Sequence, residues 1–246
     1  MRAIAAAGLS HVLVVYMILI WPVLVRRRYQ SLQRRLQEHD PNARMRAYRR
    51  MLLHQGAMVL VVAAILVLGA IPASRVGFVR PAGGPLQTNI LLSCLGGVIA
   101  SGLILRWKGD HLLPRLFKMA GAILPLTVQE RWTFAAISVG AGFSEELLFR
   151  GFLMDYLQHN FAGLDTWALI LISSAVFGFA HLYQGWRGTM LTGVLGSAFG
   201  VLYTFTGSLL PPVAIHAAVD LRLLIIVTPE RVRAFGLAQD APRSGE

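Results

Sequence analysis

Acidic residues are scarce: 12 Asp and Glu stand against 23 Lys and Arg in 246 residues, and all four types make up only 14% of the chain. Soluble domains carry about 25%. Charge is missing altogether from residues 3–25, 51–74 and 81–105. Each of these gaps exceeds the ~20 apolar residues that cross a hydrocarbon core of about 30 Å. With 55% hydrophobic residues and a mean hydropathy of +0.58, a water-soluble fold is excluded and a membrane protein implied. Cysteine is nearly absent as well. Cys94 is the single one, which rules out an intrachain disulfide and any cysteine cluster for a metal. The ~10-residue alternation of a membrane β-barrel is not present either. Internal repeats and low-complexity linkers are also lacking.

What is present is apolar sequence at helical length. Thr166–Trp186 and Gly188–Val219 are also free of formal charge, the second long enough for one helix, a turn at "TGSLLPP" and most of another. With the segment around "GFSEELLFRG", this predicts seven spans in an all-α, polytopic transmembrane helix bundle. The first span is followed by "RRRYQ" rather than a small-residue cleavage site, so it reads as a retained anchor and not a signal peptide. Positive charge alternates between loops, 18 Lys and Arg on one set of faces against Arg2, Arg75 and Arg80 on the other. This bias places the N-terminus outside and the C-terminus in the cytoplasm. The Arg-rich residues 26–50 read as a basic cytoplasmic loop in contact with anionic lipids. Nucleic acid is not an expected partner, because no recognition motif accompanies the charge. Residues 106–131, with "KGDHLLPRLFK", read as an interfacial loop, and 228–246 as a cytoplasmic tail. The expected location is a cell membrane, on this pattern a bacterial inner membrane.

Ionisable groups inside hydrocarbon are costly and normally face a bundle interior where they carry function. Here they are Glu145, Glu146, Arg150, Asp220 and Arg222, with His181 and His216. Glu146 and Arg150 share a helix face and can pair. Glu145 points about 100° away, and an unpaired carboxylate in a dry site suits a general base. Asp220 follows His216 by one turn, so its carboxylate can orient the imidazole. Phe177 stands one turn before His181 as an aromatic wall. Gly193, Gly196 and Gly200 follow the small-residue spacing of closely packed helices. Asp155, His159 and Asp165 belong to the outer end of the fourth helix and its loop.

"EELLFR" with Glu145, Glu146 and Arg150, "FGFAH" with Phe177 and His181, and "HAAVD" with His216 and Asp220 resemble, in this order, the EExxxR, FxxxH and HxxxN/D motifs of the CPBP family. This is the CAAX-protease and bacteriocin-processing, or Abi, family of intramembrane endopeptidases. "GTMLTGVLGSAFG" is similar to the family's glycine-rich helix. The resemblance covers about 132–227, making it a catalytic membrane core behind N-terminal membrane helices at 1–131. It implies peptide-bond hydrolysis on a membrane-anchored protein or peptide substrate. Glu145 and His181 would activate water, His216 and Asp220 would stabilise the oxyanion, and Glu146 and Arg150 would hold the first motif in shape. It also implies catalysis without a cofactor. A zinc site on Glu145, His181 and His216 is the alternative, although no HExxH is present. A non-catalytic immunity or interaction protein and a transporter are the remaining alternatives; the latter would call for matched inverted halves. One geometric demand follows. With a fourth helix starting at Trp132, Glu145 is about 20 Å from its cytoplasmic end, whereas His181 closes the fifth span near that edge. A long tilted fourth helix running to about Asn160 would bring them together.

Overall fold

The computed structural model describes residues 1–81, 83–108, 114, 121–228, 230 and 231. Among them the chain is all-helical, with no strand. Helix α1 spans Arg2–Gln37, α2 Ala43–Leu68, α3 Pro85–Lys108, α4 residues 128–160, α5 Thr166–Ala180, α6 Gly185–Thr206 and α7 Leu210–Ile226. By length and composition α1, α2, α3 and α6 can each cross a membrane, whereas α5 is shorter. Much of the outer surface is bare aliphatic side chain, including Ile4, Leu53, Leu60, Val67, Leu92 and Ile99, as a lipid-facing wall requires. Residues 109–113 and 115–120 of the expected interfacial loop lie outside the described residues, as does nearly all of the tail.

Two local features differ from the sequence expectation. Residues 26–50 are not a loop. Helix α1 continues through the basic stretch to Gln37, and α2 resumes at Ala43. Arg, Gln and Leu are good helix formers, and the chain breaks only at the short turn where His39 adopts φ 58°. The result is a basic helical hairpin that extends the first two spans.

Helix α4 starts at Val128 rather than at Trp132, and its start is set by a capping box. Thr127 Oγ1 accepts from Glu130 N at 3.1 Å, while Glu130 Oε2 accepts from Thr127 N at 3.0 Å, satisfying two otherwise orphaned donors. The helix then runs without interruption past the motif to Asn160. At 1.5 Å per residue it is about 50 Å long, the long helix that the relative heights of Glu145 and His181 demanded.

Leu147–Leu153 of α4 is wound as a π-helix, and all seven of its residues are buried. Tyr16–Ile20 of α1 is a second π segment. Such wide turns shift the side-chain register and occur mostly at functional sites. The two meet in the core, where Met17, Trp21, Val62, Leu148, Phe149 and Phe177 form one buried cluster.

Helices α5 and α6 approach very closely. A Cβ on Gly178 would lie 2.9 Å from the Thr189 carbonyl oxygen. On α6, a Cβ at Gly196 would meet Phe177 at 2.9 Å and Arg150 at 3.0 Å, and one at Gly200 would meet Ile170 at 3.0 Å. Gly193 has ordinary room, with Ser174 O at 3.6 Å. The glycine stripe is thus a packing surface at two of its three positions.

Candidate active site

The first turn of the π segment puts Glu146 and Arg150 on the same side of α4, facing α6 and α7. Both are fully buried. Arg150 Nη1 donates to Glu146 Oε1 at 2.9 Å, and Nη2 donates to the Gly196 carbonyl at 2.8 Å. The guanidinium also lies 4.6 Å from the centroid of Phe177 and 5.4 Å from that of Phe199, within cation–π range. One cation therefore ties α4 to α5 and α6.

Glu146 has a second partner. His216 Nδ1, on α7, lies 2.7 Å from the same Oε1. A carboxylate only accepts, so Nδ1 carries the proton and Nε2 is turned the other way. Phe199 stacks on this ring at 5.0 Å with planes 15° apart. The contact expected between His216 and Asp220 is not made, because the one-turn spacing is outcompeted by a carboxylate arriving from another helix. Asp220 forms no hydrogen bond or ion pair among the described residues, and it bears on His216 through charge alone.

Glu145 stands on the other side of α4. Its Oε2 lies 3.8 Å from His181 Nε2 and 3.9 Å from His216 Nε2, and that oxygen is buried with no hydrogen-bond partner among the described residues. His181 follows the last turn of α5, and its Nδ1 donates to the Phe177 carbonyl at 2.9 Å. A carbonyl cannot donate, so Nδ1 holds the proton and Nε2 of the neutral ring offers a lone pair towards Glu145. Glu146, Arg150, His181, His216 and Glu145 are thus one cluster, with Asp220 at its edge.

A cavity of about 150 Å³ reaches this cluster. Ser144, Glu145, Leu148, Ala180, His181 and Tyr183 form its floor, whereas His216 and Asp220 do not line it. The exposure of the side chains agrees: 15% for Glu145 and 17% for His181, against 6% for His216 and none for Glu146 or Arg150. Glu145 and His181 face the open space while the other three support them from behind.

Several groups around the site, one of them lining the cavity, were not singled out from the sequence for a role there. His54 accompanies Trp21 edge-to-face at 4.8 Å and shares a 2.8 Å hydrogen bond with the Tyr16 hydroxyl. It is a histidine inside a charge-free run, and that signal alone marks it. Phe199 and the Gly196 carbonyl carry no such signal. Arg75, by contrast, holds Asp155 with two bonds of 3.1 Å at the far end of the bundle, where both were expected. Asp165 caps α5 through Ala168 N.

No curated protein and no solved structure gives a match. The family model described as "Type II CAAX prenyl endopeptidase Rce1-like" does match, over residues 127–222. That stretch holds every residue of the three motifs and none of the N-terminal helices. Rce1-like proteins are proteases, and the CPBP likeness of the motifs is the same relationship. Residues 127–222 of this chain are similar to the Rce1-like family of type II CAAX prenyl endopeptidases.

Proposed function

We propose that the protein is an intramembrane endopeptidase in which Glu145 activates water against a peptide bond of a membrane-anchored protein or peptide. The observation that carries this reading is Glu145 Oε2: buried and without a hydrogen-bond partner among the described residues, on a side chain that lines the cavity, and facing Nε2 of both histidines at 3.8 and 3.9 Å. A water seated there can donate one proton to the carboxylate while His181 Nε2 accepts the other hydrogen bond. Its oxygen adds to the carbonyl carbon and the proton passes to Glu145. The C–N bond then breaks as the same proton is delivered to the leaving amine, which leaves an acid, an amine and a regenerated carboxylate.

His216, with Nδ1–H committed to Glu146, presents an N–H at Nε2 only as the imidazolium, for which Glu146 is the counter-charge. In that form it can stabilise the developing oxyanion. Asp220 adds to this field without touching the ring. Asp220→Asn is therefore expected to lower kcat/KM by less than about tenfold, the scale of one unit of differential charge interaction. A loss equal to that of removing Glu145 would return Asp220 to the centre of the mechanism.

The reading is metal-independent. One observation favours the zinc alternative: a carboxylate on Nδ1 with Nε2 free is the arrangement that commonly orients metal-ligating histidines. Glu145, His181 and His216 would be the protein ligands, and the ion would lower the pKa of a bound water. The deciding experiment uses purified protein in lipid nanodiscs with membrane-tethered peptides, the new termini being read by mass spectrometry. Cleavage should persist after chelation, with far less than one metal per chain. Stoichiometric zinc, with activity restored only by its return, would establish the metalloprotease instead.

The charge bias across the loops supports a cytoplasmic position for the end of the bundle that carries the basic hairpin. The cavity runs towards that end, so the substrate would enter from the cytoplasmic side of a cell membrane, a bacterial inner membrane on this charge pattern.

A further inference from the structure

The wall of the cavity facing Glu145 is built by α1 and α2, which lie outside the family match. On α1 the lining runs from Trp21 to Arg35, and on α2 it runs back from His54 to Ala43. Four arginines belong to it: Arg28, Arg35, Arg46 and Arg50. The only carboxylate among the lining residues is Glu145.

Helical rise sets the levels of these charges. Trp21 touches His54 at 4.8 Å and Phe149, one turn beyond Glu145 on α4, at 5.8 Å, which gives α1 and α2 a common level. From that level Arg28 is about 10 Å along α1 and Arg50 about 6 Å along α2; Arg35 and Arg46 are about 21 and 12 Å away. An extended peptide advances about 3.3 Å per residue. Tyr48 packs on Phe134 at 6.3 Å and Gln55 bonds the Ile137 carbonyl at 3.2 Å, so the first pair of guanidiniums lies towards the start of α4, within about five extended residues of a bond held at Glu145.

The outer pair already holds a carboxylate. Asp40, in the turn between the two helices, bonds Arg46 and lies 3.7 Å from Arg35. The inner pair is different. No carboxylate among the described residues pairs with Arg28 or Arg50. An open cavity that leads from the general base past two uncommitted guanidiniums is complementary to a substrate that supplies the missing anion.

We infer that Arg28 and Arg50 are a recognition site for an acidic side chain of the substrate, within about five residues of the bond that is cut. The inference rests on the proposed function and adds a specificity to it. Guanidinium–carboxylate pairing is directional and charge-assisted, so an Asp or Glu at that distance is selected over its amide.

The test uses the full chain in nanodiscs of zwitterionic phosphatidylcholine. Membrane-tethered, C-terminally amidated peptides differ only in carrying Asp, Asn or Lys at single positions on either side of the cleaved bond. The expected result is that Asp at one position within about five residues of that bond raises kcat/KM over Asn by about tenfold or more. The double variant Arg28→Gln with Arg50→Gln should bring that ratio close to one. Arg49→Gln, an exposed arginine of α2 that does not line the cavity, should leave the ratio unchanged. Arg28→Glu with Arg50→Glu should shift the preference towards the Lys peptide, a gain that mere damage to the fold does not produce. Equal cleavage of Asp and Asn peptides, or a ratio untouched by the double variant, overturns the inference and leaves the protease reading standing. A ratio that appears only with anionic lipid assigns the wall to headgroups and overturns it too. If the wild type cuts no peptide at all, the protease reading fails and the inference with it.

Discussion

Glu145→Gln abolishes all but a trace of peptide cleavage, with kcat/KM expected to fall at least about 10²-fold, the usual scale for losing a general base. The substitution keeps the volume of the side chain and its place on the cavity floor. It removes only the ability to take a proton from water. Because Glu145 Oε2 makes no hydrogen bond with the described residues, the fold should tolerate the amide, and the thermal midpoint should match that of the wild type. The measurement is cleavage of a membrane-tethered peptide by the reconstituted variant, beside a melting curve of the same preparation. Turnover within tenfold of wild type in a folded variant would take the base away from Glu145 and leave the two histidines without the group they face.

Arg150→Met is expected to act on the fold first. Its guanidinium is fully buried, bonds Glu146 and the Gly196 carbonyl, and lies between two aromatic rings. Removing one member of a buried ion pair typically costs about 3–5 kcal/mol, because the remaining charge is left without compensation. For a chain of this size that corresponds to a fall of roughly 10 °C in the unfolding midpoint. Arg150→Lys keeps the charge but reaches only one of the two acceptors well, since an ammonium lacks the planar fork, and should recover part of the loss. Activity should decline alongside, because Glu146 then orients His216 without its cationic anchor. A midpoint within about 2 °C of wild type for Arg150→Met would show that the pair is dispensable to the fold.

The readings that survived from sequence to structure are those that depend on local spacing. Charge-free runs longer than a bilayer require helices, because backbone polar groups in lipid must be satisfied within the segment. The one-turn offset of Glu146 and Arg150 is a property of any helix, and so is the divergence of Glu145 from that pair. The start of α4, expected at Trp132, is also written locally, in the Thr127 and Glu130 capping box that begins the helix at Val128. The basic stretch after residue 25 was misread as a loop because charge was taken for a boundary, although its residue types favour helix and no breaker intervenes before the turn at His39.

Other features depended on helices that are distant in the chain, and these were decided by packing. Asp220 has the right spacing to hold His216, yet Glu146 arrives from α4, 70 residues away in sequence, and takes Nδ1. Spacing within one helix states what two side chains can do; which contact forms depends on the partner that a second helix brings within 3 Å. The glycine faces of α5 and α6 let those backbones close together, and that closeness gives Arg150 the Gly196 carbonyl and sets Phe199 on the His216 ring. The role of Arg28 and Arg50 was equally out of reach. Their number and charge were visible from the start, but only the antiparallel pairing of α1 and α2 turns them towards a cavity with Glu145 on its floor. The sequence by itself determined the helices, the membrane and which ionisable groups lie within it, since each follows from composition and a 3.6-residue period. The tertiary structure alone decided which carboxylate meets which histidine and which arginines line the cavity that reaches Glu145, because those depend on distances between helices that no local period encodes.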